Sequence, residues 1–191
     1  MEEVFIHNTA VVEKGAKIGT GTRIWHFSHI MPNAIIGDNC NLGQNVFVAD
    51  DVIIGRNVKV QNNVSIYKGV VCEDRTFLGP SMVFTNVINP RSDLNRKDEF
   101  LKTVVKEGAS IGANVTVLCG NDIGKYAFIG AGSTVVGDVP DYALILGIPG
   151  RIVGWMSEYG ERLEFDKEGL ATCDHSGDIY LLKKGHVTKV E

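Results

Sequence analysis

A six-residue repeat of apolar side chains constrains the fold of this 191-residue chain more than any other feature. The residue four positions after each repeat residue is small or of medium size, as at Ala10, Thr22 and Val46. An α-helix has a period of 3.6 and a half-buried strand a period of 2, so neither explains a sustained period of six. Hexapeptide repeats are typical of a parallel β-helix. The repeat residues are Ile6, Val12, Ile18, Ile24, Ile30, Ile36, Leu42, Val48, Ile54, Val60, Ile66, Cys72, Leu78 and Phe84.

Each hexad is expected to form one short strand and one turn, so that about 18 residues complete a triangular coil. The repeat residue and the residue four later then point into the prism. The connections are too short to carry helices, which excludes a βαβ arrangement. Glycine and asparagine between the inward positions are expected to form the turns because they tolerate positive φ. These are Gly19, Gly37, Asn39, Gly43, Asn45, Gly55 and Asn57.

The repeat stops after Asn89 and resumes at Val105, which indicates an insertion at about residues 90–104. The insertion is charged, opens with Pro90 and lacks the repeat. A tolerated surface loop is one reading. A loop this long in a tightly wound fold is more often functional.

The chain is expected to divide into a β-helix domain at 1–150 and a C-terminal cap at 151–191. Within the cap, apolar residues near period 3.6 predict a short helix over 151–163. The glycine-punctuated segment after it predicts a hairpin. The cap is expected to cover the strand edges and apolar core at the open end of the prism.

Composition limits the other possibilities. The formal charge of −4 and the pI of about 5.7 argue against nucleic-acid binding as the main role. No apolar run reaches about 18 residues, and the acidic N-terminus lacks the apolar core of a signal peptide, so a cytoplasmic protein is expected. Of the four cysteines, Cys40 and Cys72 fall on inward positions, and the spacing indicates neither a zinc site nor a disulfide framework.

The repeat pattern over residues 6 to about 150 resembles the left-handed β-helix acyltransferases. The stretches FTNVINPR, NRKDEF and GASIGANVTVLCG are similar to the branch that N-acylates amino groups of nucleotide-linked sugars. IWHFSHI, LGQNVFV and KVQNNVSIYKGV are most similar to members that acetylate UDP-2-acetamido-3-amino-2,3-dideoxyglucuronate. The resemblance implies a left-handed helix, acetyl-CoA as donor, that UDP-amino sugar as acceptor, and a role in making surface-polysaccharide (O-antigen) precursors. It also implies a homotrimer with active sites between subunits. From composition and spacing, no metal, nucleic acid or membrane partner is expected.

Residues 18 apart stack on successive coils, so the position of each candidate can be inferred. Asn86 stands on the coil from which the insertion departs, and the resemblance makes it the first candidate catalytic residue. Its amide would orient the sugar amine or hold the thioester carbonyl. A turn-forming asparagine bonded to local backbone is the alternative. Further substrate-binding candidates are Arg91, Arg96, Lys97, Gln44 and Asn62, although any of the cations can equally be a solvated surface charge.

His26 and His29 lie within the regular coils, and His26 is the candidate general base. A water molecule or the departing thiolate is the alternative proton acceptor. The resemblance places acetyl-CoA along the cleft toward the C-terminal coils. The expected lining residues there are Ala113, Cys119, Gly120, Ala131, Gly132 and Arg151.

Three rival functions remain open. One is N-acetylation of a dTDP-linked 3-amino-deoxyhexose. Another is a metalloenzyme of the γ-carbonic anhydrase type, which requires three converging histidines that the coils do not offer. The third is a structural solenoid without catalysis, against which the long insertion argues.

Overall fold

The computed structural model describes residues 3–190 and consists almost entirely of short parallel strands. In chain order these are β1 Phe5–Ile6, β2 Val11–Val12, β3 Lys17–Ile18, β4 Arg23–Ile24, β5 His29–Ile30, β6 Ile35–Ile36, β7 Asn41–Leu42, β8 Phe47–Val48, β9 Ile53–Ile54, β10 Lys59–Val60, β11 Ser65–Ile66, β12 Val70–Cys72, β13 Phe77–Leu78, β14 Val83–Phe84, β15 Thr103–Val105, β16 Ser110–Ile111, β17 Thr116–Val117, β18 Phe128–Ile129, β19 Thr134–Val135, β20 Ala143–Leu146, β21 Arg151–Trp155, β22 Leu170–Thr172, β23 Ile179–Lys183 and β24 His186–Val190. A 3₁₀ turn covers Lys97–Glu99.

The strands form the three faces of a left-handed parallel β-helix, which confirms the predicted fold class. Each strand pairs in parallel with the strand one coil earlier, usually 18 residues away, as Ile24 does with Leu42. Face 1 contains β1, β4, β7, β10, β13, β16, β18 and β20. Face 2 contains β2, β5, β8, β11, β14, β17 and β19. Face 3 contains β3, β6, β9, β12 and β15, and continues through bridges from Val105 to Ile123 and from Ile123 to Val139.

Three corners join these faces, and two of them carry the candidate site residues. Corner 1–2, between faces 1 and 2, consists of residues 25–28, 43–46, 61–64, 79–82, 112–115, 130–133 and 147–150. Corner 2–3, between faces 2 and 3, consists of residues 31–34, 49–52, 67–69, 85–102 and 118–122.

The inward repeat residues stack into aliphatic ladders that form the core. On face 1, Ile24, Leu42, Val60 and Leu78 are all 0% exposed. Burial of each such side chain contributes about 1.5–3 kcal/mol. Ile6 is 43% exposed because it lies in the first coil and has no coil beneath it.

The structure divides the predicted turn residues into two kinds. Asn39 adopts a positive φ of 56°, as expected, and Asn45 and Asn57 do likewise. The prediction was wrong for the glycines, since neither Gly19, Gly37, Gly43 nor Gly55 has a positive φ. A Cβ on Gly37 would instead lie 2.6 Å from the carbonyl oxygen of Gly55 in the next coil. These glycines are therefore required by the close stacking of consecutive coils.

The insertion lies where it was predicted but ends two residues earlier, because Thr103 and Val104 already belong to β15. Leu78 pairs with Ile111, fifteen residues farther along the chain than the usual spacing of 18. The helix is therefore interrupted by fifteen extra residues while its strand register is preserved.

The helix predicted over 151–163 is wrong. Residues Arg151–Trp155 form β21, which pairs antiparallel with β20 and covers the free edge of face 1. This pairing satisfies backbone groups of β20 that a helix would have left open. β21 thus continues the β-helix across the expected division at residue 150, and the predicted outer limits at residues 1 and 191 lie outside the described residues.

The predicted hairpin is confirmed as β23 and β24, and β22 adds a third antiparallel strand. Its fully buried Tyr180 packs with Val187 against Tyr142 of the last coil. The small sheet therefore lies against the corner between faces 3 and 1 at the C-terminal end.

Candidate functional site

The predicted site residues separate onto two corners of the prism within one chain. Corner 1–2 and the strand that follows it carry His26, Gln44, Asn62, Ala113, Ala131, Gly132 and Arg151. Corner 2–3 carries Asn86, Arg91, Arg96, Lys97, Cys119 and Gly120. Face 2 lies between the two groups, so a single chain does not bring them together.

A cavity of about 260 Å³ on corner 1–2 brings together His26, Gln44 and Asn62. Its remaining lining is Trp25, Asn41, Gly43, Val60 and Gln61. Asn62 Oδ1 accepts a hydrogen bond from the Gln44 N–H at 2.8 Å, so this oxygen holds the turn of the coil below. The amide nitrogen of Asn62 and the side chain of Gln44 have no partner within residues 3–190 and are available to a ligand.

His26 is half-buried beside this cavity, and its ring stacks on that of His7 with centroids 3.6 Å apart. No residue in the described part of the chain hydrogen-bonds to its ring nitrogens. His29 differs, because its Nε2 lies 2.6 Å from Glu13 Oε1 and its ring packs edge-on against Phe47 on face 2. Of the two histidines, only His26 therefore borders the cavity with an uncommitted ring.

The C-terminal half of corner 1–2 forms a strip of small residues. Ala131 lies one coil above Ala113, and the Gly132 N–H donates to the Ala113 carbonyl at 2.8 Å. A Cβ at Gly132 would meet nothing within 4 Å, so this backbone is open to a ligand. Arg151 is exposed and, among the residues that the structure describes, donates only to the Gly150 carbonyl, at 3.0 Å, with no carboxylate partner. An open strip ending in a cation with no carboxylate partner fits the extended arm and phosphates of acetyl-CoA.

The insertion leaves and rejoins the prism at corner 2–3. The Leu101 N–H donates to the Asn86 carbonyl at 2.9 Å, and the Thr103 N–H donates to the Gly69 carbonyl at 3.1 Å. The Leu101 side chain packs against one side of Gly120, where a Cβ would lie 3.1 Å from the leucine Cδ1. Both ends of the insertion are therefore held against the same corner.

Cys119 does not line a surface as predicted, because it is only 3% exposed. Its N–H donates to Thr85 Oγ1 at 2.9 Å, so the residue helps to build the corner from inside. Gly120 beside it is exposed with a φ of 80°, a conformation that favours glycine. Gly120 thus remains accessible at this corner, whereas the Cys119 thiol does not.

Asn86 differs from the turn asparagines of the other coils. It is half-buried, and its φ is not in the left-handed region. Within residues 3–190 its side-chain amide makes no hydrogen bond, while its carbonyl accepts from Leu101. A turn-forming asparagine would have a left-handed φ and a side chain bonded to local backbone. Asn86 has neither, and its amide is available to a ligand.

The lysine one coil below Asn86 is committed to two carboxylates. Lys68 Nζ donates to Asp50 Oδ2 at 2.6 Å and to Asp51 Oδ2 at 2.7 Å. The hydrogen bond to Asp50 contributes most, and the one to Asp51 next, to raising the pKa of Lys68. The hydrogen bond from Lys68 in turn lowers the pKa of Asp51. Lys68 therefore stays protonated and is not a candidate base.

The three predicted cations of the insertion are not equivalent. Arg96 Nη1 donates to both carboxylate oxygens of Glu99, at 3.0 and 2.7 Å, and so stabilises the insertion itself. Arg91 is exposed, and within residues 3–190 its guanidinium hydrogen-bonds only to the carbonyl of Pro90, at 3.3 Å. Lys97 lies at a cavity of about 350 Å³ between the insertion and face 3, together with Phe100 and Lys102. Arg91 and Lys97 are thus the two that remain available.

Sequence reasoning missed Trp25, Asn41 and Gln61 at the first cavity and Phe100 and Lys102 at the second. The 18-residue column one position before His26 contains Trp25, Gly43 and Gln61, and reading it would have found two of them. Phe100 and Lys102 carry no repeat signal because they lie in the insertion.

Among residues 3–190, none of the helical segments has the length and apolar character needed to span a membrane. The same residues contain no group of three or more His, Cys, Asp or Glu side chains placed to hold a metal ion.

Comparison with known proteins identifies relatives over nearly the whole length. The family model described as bacterial transferase hexapeptide (six repeats) matches residues 15–50, and the hexapeptide repeat of succinyl-transferase matches residues 33–68. The dTDP-3-amino-3,6-dideoxy-alpha-D-galactopyranose 3-N-acetyltransferase of Aneurinibacillus thermoaerophilus is 49% identical over 190 residues, which cover 99% of this chain and 96% of that protein.

Solved structures share the fold at lower identity. A maltose O-acetyltransferase from Clostridium difficile 630 gives a TM-score of 0.54 at 23% identity, over 62% of this chain and 67% of that one. The acetyltransferase domain of PglB from Neisseria gonorrhoeae FA1090, in complex with acetyl coenzyme A, gives 0.52 at 19% identity. That match covers 78% of this chain and 57% of the other.

Proposed function

Because the chain belongs to the hexapeptide-repeat sugar N-acetyltransferases, we propose that it acetylates the 3-amino group of a dTDP-linked 3-amino-3,6-dideoxyhexose with acetyl-CoA as donor. The chain is an acyltransferase that acts on the amino group of a nucleotide sugar. The product would be a precursor of a cell-surface polysaccharide.

The observation that carries this proposal is the 49% identity to the dTDP-3-amino-3,6-dideoxygalactose enzyme over 96% of its length. The name of that relative supports the dTDP-linked sugar, which the sequence analysis held only as an alternative. The UDP-linked uronate expected first is the second candidate. In its favour, Arg91 and Lys97 are exposed cations on the insertion that suit a sugar carboxylate.

The division of candidates between two corners supports a site built from two subunits. In a homotrimer, corner 1–2 of one subunit would face corner 2–3 and the insertion of its neighbour. His26, Gln44 and Asn62 would then meet Asn86 and the insertion across the boundary. Cyclic trimers with a head-to-tail interface allow two different surfaces to meet in this way.

The chemistry follows from the groups available. The sugar nitrogen forms a bond to the acetyl carbon, the carbon–sulfur bond of the thioester breaks, and the thiolate leaves. The nitrogen loses one proton, which the thiolate, water or His26 accepts. The Asn86 amide orients the amine or donates to the thioester oxygen, a contribution typical of an oxyanion hydrogen bond. Ala113, Ala131, Gly132 and Arg151 would hold the donor.

A substrate panel tests the proposal. The protein is incubated with acetyl-CoA and dTDP-3-amino-3,6-dideoxygalactose, its gluco epimer or UDP-2-acetamido-3-amino-2,3-dideoxyglucuronate, and thiol release is followed. We expect the highest kcat/KM with a dTDP sugar. A higher kcat/KM with the UDP-linked uronate would show that the uronate, not the dTDP sugar, is the substrate. Failure to acetylate any amino sugar would overturn the proposal.

A further inference from the structure

An exposed cluster of aromatic rings occupies the first two coils beside the corner 1–2 cavity. The centroids of Phe5 and Trp25 are 5.2 Å apart, and Trp25 lies parallel to His26, with 6.2 Å between centroids and 6° between planes. Trp25 Nε1–H donates to Asn41 Oδ1 at 2.9 Å, which fixes the indole plane. Phe5 is 41% exposed, although outward positions on the faces of a β-helix need no aromatic side chain. The result is a rigid, solvent-facing aromatic platform.

Trp25 separates two cavities. On one side is the cavity with Gln44, Gln61 and Asn62 described above. On the other is a cavity of about 380 Å³ lined by Glu3, Phe5, Arg23 and Trp25. This second volume lies within the usual range for small-molecule sites. No carboxylate among residues 3–190 forms a salt bridge with Arg23, although Glu3 lines the same cavity, so the guanidinium can pair with an anionic ligand.

We propose that the Trp25 platform binds the nucleoside diphosphate of the substrate. The base stacks on Trp25 beside Phe5, Arg23 holds the diphosphate, and the sugar extends over Gln44, Gln61 and Asn62. Stacking suits any planar base, and the Arg guanidinium pairs well with phosphate oxygens. Glu3 supplies an acceptor for the imide N–H of thymine or uracil. This assignment rests on the proposed function, because it takes the acceptor to be a nucleotide sugar.

The order of groups along corner 1–2 supports this orientation. From the N-terminal end, Arg23 of face 1 and the aromatic rings beside it come first, then the amides of corner 1–2, and then the strip of small residues followed by Arg151. A nucleotide sugar entering from one end and acetyl-CoA from the other would meet near the middle coils. The base therefore lies as far from the donor as the corner allows.

The two tryptophans of the chain provide a direct test with dTDP alone. In a Trp155→Phe variant the fluorescence comes from Trp25, and we expect dTDP to quench it in a saturable way. In a Trp25→Phe variant the remaining Trp155 should not respond. Titration calorimetry should show dTDP binding weakened about 10- to 100-fold in Trp25→Ala, the range for loss of one base–aromatic stack, and also weakened in Arg23→Gln.

Phe128→Leu and Lys17→Gln are the matched controls, because Phe128 is 38% exposed on face 1 and both residues lie outside the two cavities. They should bind dTDP like the wild-type protein. Unquenched Trp25 fluorescence, or wild-type affinity in Trp25→Ala, would overturn the assignment even if the dTDP sugar is acetylated. Quenching by dTDP without acetylation of any dTDP sugar would uphold the binding site while the proposed function fails.

Discussion

Glycine directly after a repeat residue sets how closely two coils stack. We expect Gly37→Ala to lower the free energy of unfolding by about 1–3 kcal/mol, because the new Cβ would overlap the backbone of Gly55. Urea denaturation measures this change. Gly137→Ala is the control, since a Cβ there meets nothing within 4 Å, and it should change stability by less than about 0.5 kcal/mol. Equal stability of both variants would contradict the stacking argument.

At the same scale, Asn86 and Arg91 should separate chemistry from recognition. We expect Asn86→Ala to lower kcat/KM about 10- to 1000-fold, because one hydrogen bond to the amine or thioester oxygen is lost. Arg91→Ala should mainly raise KM for the sugar nucleotide. Steady-state kinetics with both substrates distinguishes these effects. Arg96→Ala is an informative comparison, because the Arg96 guanidinium is paired with Glu99. Removing this pair should loosen the insertion rather than remove a direct contact to the substrate. Wild-type kinetics in Asn86→Ala would reduce that residue to a structural role.

The inserted element can be removed without breaking the strand register. Deleting residues 87–101 joins Asn86 to Lys102 and restores the 18-residue spacing of the coils below. Replacing Lys102 by Gly matches Gly69, which has a φ of 96° at the equivalent turn. We expect the shortened protein to keep its fold, because the insertion makes no ladder pairing, and to lose at least about 100-fold in kcat/KM through lost substrate positioning. Circular dichroism checks the fold, and retained activity would show the insertion to be dispensable.

Predictability from sequence also differs between elements. The coils were predictable from Ile6 onward because each hexad repeats its inward side chains, and from Ile24 onward these repeat residues are also fully buried. β21 could not be predicted, because Ile152, Trp155 and Met156 fit a helical period equally well. Only the unpaired edge of β20, which the sequence does not reveal, favours a strand there. Asn86 remains a predicted site residue, chosen from its place on the coil where the insertion departs and from the family resemblance. Phe100 and Lys102 could not be assigned to a cavity from the sequence. They lie in an insertion without a repeat, so no stacked column gives their position.

For the molecule as a whole, the separation of candidates on two corners limits what one chain can do. Asn86 and the insertion lie across face 2 from His26, Gln44 and Asn62, and the fold is too tightly stacked for these corners to approach each other. A complete site therefore requires a second copy if both groups act on one substrate. We expect sedimentation to give a trimer at assay concentrations.

Mixed trimers test this arrangement directly. Asn62→Ala disables corner 1–2 and the 87–101 deletion disables corner 2–3, so each homotrimer should be nearly inactive. When the two chains are refolded together in equal amounts, one interface in four should pair an intact corner 1–2 with an intact corner 2–3. We therefore expect about a quarter of wild-type activity to return. Unmixed variants refolded in the same way are the controls. If mixing restores nothing although tagged chains co-purify, the two groups of residues do not form one site and the intersubunit site is excluded.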